Sequence, residues 1–391
     1  MAPSAVKPAS VQPELPAPVL IVTAPAPVGG LESAVAALAT GLVEAGQPVV
    51  VLQMLPPEGA EATAFQRLPA HGVEVITERH RARDYVGALA CIRHLVRTRR
   101  PLVVHAHGPR ADLLLALTGM ARSRSVSTVH GFVYEGLRGA VSYRLHLACL
   151  RRFTRVIAVS AALERQLAPR LRSGRLRCVP NAVSVTTPFT RDEARQRLAL
   201  PATAVVAGWV GRLSAEKNPL LFIEAMARVA PGIEAVIIGD GPLRSAAEAR
   251  AVELGIGARC HFVGAITNAG ALFRGLDLFV LSSDTEGTPM TVLEAFESGT
   301  PVVATAVGGV PALLGADAGW LVSAGDAAEL AGAIERVVRD EATRLQRTAA
   351  ARARIADQFS YPRWIAAHLS LYREVGGSPM PHSLHSISSG A

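Results

Sequence analysis

Two doubly wound α/β domains, each built on a parallel sheet and facing the other across a cleft, are what this chain predicts. Three observations carry that expectation. The 391 residues are long for one open α/β domain and comfortable for two. Half of them are apolar, yet aromatics make up only 5%; this suits sheets buried on both faces, whose strands read as short aliphatic runs. Those runs alternate with helically spaced segments in two successive series, separated by an aperiodic break.

Residues 1–18 are rich in Pro and Ala and have no apolar centre, so they read as a disordered leader, not a signal peptide. The first domain is expected over residues 19–185. Val19–Thr23, Pro48–Leu52, Val73–Ile76, Leu102–His105, Ser125–Val129, Arg155–Val159 and Leu176–Val179 read as strands. Between them lie helical stretches such as Leu31–Ala45, Tyr85–Arg99 and Ala161–Leu167, an order that implies right-handed crossovers. Ala182–Thr190 contains Pro188 and reads as a linker.

The alternation restarts over residues 191–358. Here Ala204–Val210, Ala235–Ile238, His261–Val263, Leu278–Leu281 and Pro301–Ala304 read as strands, and Lys217–Val229, Leu243–Leu254, Pro289–Glu297 and Ala327–Val338 as helices. Residues 359–375 hold a last helix, Arg363–Arg373, expected to return to the first domain; 376–391 read as a disordered tail. In doubly wound sheets ligands sit at the strand carboxyl ends, so both halves should line the cleft.

Composition removes several functions. Cys91, Cys149, Cys178 and Cys260 are far apart and form no metal-type cluster, which argues against a disulfide framework or a zinc site and fits a reducing cytoplasm. No apolar run reaches the length of a membrane span. The net charge of +8 is uneven: between Arg79 and Arg177 stand twenty arginines against four acids. Such a surface is either plainly solvated or attracts anionic lipid headgroups and phosphate-bearing substrates. Nucleic acid is disfavoured, since no binding motif accompanies the charge and stacking aromatics are few. The stretch Tyr143–Phe153 mixes arginines with large apolar residues, as a packed helix or one lying at the inner face of a membrane would.

Two segments concentrate the chemistry. Gly211-Arg212-Leu213-Ser214-Ala215-Glu216-Lys217-Asn218-Pro219 follows a strand and leads into a helix. Arg212 offers a planar fork and Lys217 a point charge for phosphate oxygens. Only Lys7 and Lys217 are lysines in a chain that otherwise uses Arg for positive charge. In the second segment, Glu286-Gly287-Thr288-Pro289-Met290-Thr291-Val292-Leu293-Glu294, Thr288 is placed to cap a helix that Pro289 opens. The free amides of that first turn suit a phosphate, Glu294 suits ribose hydroxyls, and Glu286 suits hydroxyls of a sugar. His105 and His107 form an H-x-H superficially like a metal pair, but no further ligand residue accompanies them. No D-x-D occurs, so a metal-clamped diphosphate has no visible ligands.

Together these motifs resemble family 4 of the retaining glycosyltransferases, whose GT-B architecture is two facing Rossmann-like domains. The resemblance runs from Val19 to about Tyr372 and is strongest in G-R-L-x-x-x-K-N, Ile238-Gly239-Asp240-Gly241-Pro242 and E-x7-E. The run from Gly299 to Pro311 matches as well, and in the first half so do Gly29-Gly30, Val129-His130-Gly131, Ile157–Ser160 and Val179–Ala182. It implies a hexosyltransferase acting with retention and without a metal or other cofactor. Arg212, Lys217, Glu286 and His130 would be catalytic. Gly29, Gly30, Gly211, Arg212, Lys217, Asp240, Gly241, Thr288, Met290, Thr291 and Glu294 would bind the UDP- or GDP-linked sugar. The acceptor would be a saccharide or lipid-linked saccharide in polysaccharide or glycolipid assembly, met at the cytoplasmic face of an anionic membrane. Proline at 289 replaces the family's usual glycine and removes one backbone donor near the sugar. A sugar-nucleotide epimerase of the same fold and a catalytically inactive nucleotide-sugar-binding protein are the alternatives; a starch-type phosphorylase would need the lysine that the diphosphate motif already claims.

Overall fold

The structure is a computed structural model, and it describes residues 17–26, 29–81, 84–119, 124–131, 136–183 and 188–377. The expected leader and tail lie almost wholly outside these residues, as does part of the linker.

The first domain runs β1 (Val19–Thr23), α1 (Gly30–Glu44), β2 (Val49–Leu55), β3 (Glu74–Arg79), α2 (Tyr85–Arg99), β4 (Val103–His107) and α3 (Pro109–Thr118). It continues through β5 (Ser125–Val129), α4 (Gly136–Leu150), β6 (Arg155–Ala158), α5 (Ala161–Leu167) and β7 (Leu176–Cys178). The second holds α6 (Arg191–Arg197), β8 (Val205–Val210), α7 (Pro219–Arg228), β9 (Ile233–Ile238), α8 (Arg244–Glu253), β10 (Cys260–Gly264) and β11 (Leu278–Leu281). After these come α9 (Met290–Ser298), β12 (Val302–Thr305), α10 (Val310–Leu314), β13 (Trp320–Val322), α11 (Ala327–Arg339), α12 (Glu341–Gln358) and α13 (Tyr361–Gly376).

Both sheets are wholly parallel, in the orders β3-β2-β1-β4-β5-β6-β7 and β10-β9-β8-β11-β12-β13. The aliphatic runs explain why: β1 (VLIVT) is buried along its whole length, so helices must cover both its faces. Each sheet accordingly separates two apolar clusters, one per face. Strand order reverses between β1 and β4 in one sheet and between β8 and β11 in the other, and a crevice opens outside the strand ends at each reversal.

Helices α1 and α13 both tie the domains. Ala34 of α1 packs into the second domain's core beside Met290 of α9. α13 leaves the second domain and buries Trp364, Ile365, Leu369 and Tyr372 against Val19 and Ile21 of β1. Tyr361 also donates from its hydroxyl to the Ala37 carbonyl of α1 at 2.6 Å.

Candidate active site

The two motif segments emerge from β8 and β11, the strands flanking the reversal in the second sheet. After β8 the chain makes a short 3-10 turn over Ala215–Lys217, and α7 begins only at Pro219. The continuous helix expected over Lys217–Val229 is thus broken at Asn218. That residue sits in the left-handed region at φ 45°, and its side-chain oxygen caps α7 by accepting from the Leu221 amide at 3.1 Å. Two buried side chains brace the turn from beneath. Trp209 Nε1 donates to Ser282 Oγ at 2.9 Å, and Ser282 Oγ donates to the Asn218 carbonyl at 2.8 Å.

This turn delivers Lys217 to Glu286. Its Nζ lies 2.6 Å from Glu286 Oε1, and Ser283 Oγ donates to the same oxygen at 2.7 Å. The Glu286 side chain is only 5% exposed, whereas Lys217 is 31% exposed. Both bonds fall on Oε1, so Glu286 keeps a second oxygen, and Lys217 two further N–H groups, for a ligand.

Across the cleft, Gly287 packs so tightly against the His130 carbonyl that a Cβ there would collide with its oxygen. Thr288 donates its hydroxyl to the Val159 carbonyl at the end of β6. The expected helix cap by Thr288 is therefore wrong: a buried carbonyl of the other domain takes that hydroxyl. α9 starts at Met290, with Pro289 as its N-cap and no side-chain cap. Glu294 consequently lies just over one turn into α9. Partial burial against the Cα of Gly270 pushes its carboxyl up to about 7.

Two helix mouths converge here. A Cβ on Gly30, the first residue of α1, would stand 3.9 Å from Met290 Cγ, at the start of α9. Thr291 follows in the same turn of α9. Glu32, in the first turn of α1, is buried and accepts from the Ala26 amide at 2.7 Å. Burial raises its carboxyl, while its backbone hydrogen bonds and, more weakly, the positive charge of Arg212 oppose the rise. Arg212 itself is exposed at the end of β8. The Asp240-Gly241 turn braces that loop. The Asp240 carbonyl accepts from the Leu213 amide at 3.0 Å, and a Cβ on Gly239 or Gly241 would run into the Gly211–Leu213 backbone.

His130 follows β5, and burial pushes its imidazole down to about 4, so it is neutral. His105 is core: Nδ1 lies 2.6 Å from the Tyr372 hydroxyl and Nε2 lies 2.7 Å from Thr128 Oγ1. Among the described residues no group of three or more His, Cys, Asp or Glu side chains is arranged to hold a metal ion.

The family described as glycosyl transferases group 1 matches residues 190–354, and Glycosyltransferase Family 4 matches residues 28–187. The chain belongs to the glycosyltransferases. Curated relatives of this glycosyltransferase include the lipopolysaccharide core biosynthesis glycosyltransferase LpsE of Rhizobium meliloti. It is 27% identical over 72% of this chain and 78% of its own length. The 2-deoxystreptamine glucosyltransferase of Streptomyces kanamyceticus is 32% identical over 51% of this chain, which spans 54% of that relative. The D-inositol 3-phosphate glycosyltransferase of Mycobacterium bovis is 36% identical over 50%, with 42% of its length spanned. Among solved structures, Anabaena HepE in complex with UDP-glucose superposes with a TM-score of 0.78 at 23% identity, covering 90% of this chain and 99% of that one. Sucrose-phosphate synthase from Thermosynechococcus elongatus gives 0.79 at 22% identity over 93% of this chain and 100% of its own. At these identities the likeness shows the two-domain GT-B fold.

Within the glycosyltransferase, Arg212, Lys217, Glu286, Gly30 and Met290 gather at one cleft, with His130 facing Gly287 from the other side. Glu32, Trp209 and Ser282 escape sequence reasoning. An acid in the first turn after Gly-Gly was the available signal for Glu32; nothing local marks Trp209 and Ser282 as braces. On the outside, α4 exposes Val141 (65%) and Leu145 (52%) while burying Leu147 and Leu150. No helix among the described residues is long and apolar enough to cross a membrane.

Proposed function

We propose that the protein transfers a hexose from a nucleotide-sugar to a saccharide or lipid-linked saccharide, with retention of anomeric configuration and without a metal. The observation that carries this reading is the Lys217–Glu286 pair at the sheet's reversal, with two helix mouths and Arg212 beside it. Lys217 and Arg212, with the amides opening α1 and α9, take the diphosphate; Glu286 Oε2 takes hydroxyls of the sugar, and Glu294 those of the ribose. A nucleotide-linked donor is supported by the structural neighbour HepE, which was crystallised with UDP and with UDP-glucose.

The chemistry is front-face substitution. The bond between the anomeric carbon and the diphosphate oxygen breaks as the acceptor oxygen bonds to the same face, and the leaving diphosphate takes the acceptor's proton. Positive groups fixed beside that diphosphate stabilise the charge it develops, and removing one such group costs on the order of 10²–10³ in rate. Glu286 is not a nucleophile in this scheme. Its inner oxygen is held by Lys217 and Ser283, and a retaining glycosidase would require a second carboxyl nearby.

The part of the relative LpsE in lipopolysaccharide core biosynthesis, the arginine-rich first half and the exposed apolar residues of α4 support a lipid-linked acceptor met at an anionic cytoplasmic membrane surface. Calorimetric titration of UDP- and GDP-sugars with and without EDTA, followed by NMR of the product anomer, tests the proposal. Binding that requires a divalent ion, an inverted product, or unchanged affinity in both Lys217→Ala and Glu294→Ala overturns it.

A further inference from the structure

His107 is the last residue of β4, and His130 directly follows β5. The two strands pair in parallel with His107 opposite Thr128, which brings both rings to the carboxyl end of the sheet. His107 Nδ1 lies 3.0 Å from His130 Nε2. His107 is 3% exposed, and its other ring nitrogen, Nε2, is buried without a hydrogen-bond partner among the described residues. Both rings are neutral, because burial lowers His107 well below the ordinary histidine range and His130 to about 4.

Two neutral imidazoles in contact must divide the roles: one nitrogen carries the proton and the other offers its lone pair. Were His130 the donor, the buried Nε2 of His107 would be an N–H with nothing to bond. With His107 as donor, that nitrogen is a bare lone pair. A buried orphan N–H is the rarer and costlier arrangement. His107 therefore donates through Nδ1.

We infer that His107 is a positioning residue that locks His130 in the Nδ1–H tautomer, so that His130 meets the reacting sugar as a hydrogen-bond donor and not as a base. His130 Nε2 is occupied by His107, and its remaining nitrogen already holds the proton. This leaves the leaving diphosphate as the proton acceptor. The inference rests on the transferase reading for its catalytic meaning, while the tautomer itself stands on the contact between the two rings, the unpartnered His107 Nε2 and the burial that keeps both neutral. The backbone carbonyl of His130, seated on Gly287, fixes the ring's origin, and His107 fixes its rotation and proton.

The test is long-range proton–nitrogen NMR on the full chain carrying ¹⁵N-histidine, with the His130 signals assigned by their loss in His130→Gln. The wild-type spectrum should show the Nδ1–H tautomer. His107→Phe, which keeps the ring's bulk without its nitrogens, should give mixed tautomers and lower kcat about tenfold, the worth of one aligned hydrogen bond, with donor KM within about twofold. His107→Asn, whose amide reaches the position of Nδ1, should restore the Nδ1–H signal and most of kcat. An Nε2–H tautomer in the wild type, or unchanged tautomer and kcat in His107→Phe, overturns the inference. Wild-type protein that shows the Nδ1–H signal yet binds no nucleotide-sugar overturns the transferase reading instead.

Discussion

Glu294 links donor binding to pH. Burial raises its carboxyl from 4.5 to about 7, so at pH 6 about nine molecules in ten carry it protonated. Ribose hydroxyls donate to a carboxylate, and binding therefore draws Glu294 into its ionised form. With one linked proton, affinity for a nucleotide-sugar should be level above about pH 8 and about tenfold weaker at pH 6. The ligand's diphosphate is a diester and does not titrate in this range, and His130 and His368, held at about 4, are silent there. Glu32, also raised, is controlled with Glu32→Gln.

The same residue carries an opposite effect on stability. Because its folded-state pKa lies above the free value, protonated Glu294 favours the fold below about pH 4.5. That contribution is lost as pH rises through 7, at most about 3 kcal/mol since the side chain keeps partial exposure. Glu294→Gln should therefore bind donor weakly at every pH and yet unfold at higher denaturant than wild type at pH 8, with no difference at pH 4.5. Calorimetric titration from pH 5.5 to 8.5 and urea melts at pH 4.5 and pH 8 read the two effects. Flat wild-type affinity, or a Gln variant that binds as tightly as wild type, refutes the reasoning.

Three further perturbations follow from the structure. Asn218→Ala loses both a helix cap and the tolerance of φ 45°, and should destabilise by about 2 kcal/mol in urea melts; Asn218→Gly should cost clearly less. Gly287→Ala sets a methyl against the His130 carbonyl and should hold the domains apart, lowering kcat at least tenfold while leaving nucleoside-diphosphate affinity within about threefold. Equal loss of both would locate the defect in the second domain alone. Val141→Asp with Leu145→Asp should release the protein from anionic vesicles in sedimentation at low salt without changing activity on a short soluble acceptor. Wild-type protein that ignores such vesicles rules out the membrane contact.

Much of the fold was legible because each strand buried on both faces must be a short aliphatic run, and each crossover must be an amphipathic helix. Val19–Thr23, Ser125–Val129, Leu278–Leu281 and the helix Tyr85–Arg99 lie where the pattern puts them. The three-residue β13 and the charged α12 were not legible, the first too short for periodicity and the second lacking an apolar stripe. Local sequence also marked Arg212, Lys217, Glu286 and Glu294 as unusual, since their spacing and company are properties of the chain.

Tertiary structure alone decided what each of them touches. That Lys217 meets Glu286, that Thr288 serves Val159 and not its own helix, that Glu32 and Gly30 face the second domain, and that His107 reaches His130 are contacts across 23 to 129 residues of chain or between domains. Periodicity reports which face of an element is buried. It carries no information on which distant element covers that face, because that depends on strand order and domain closure.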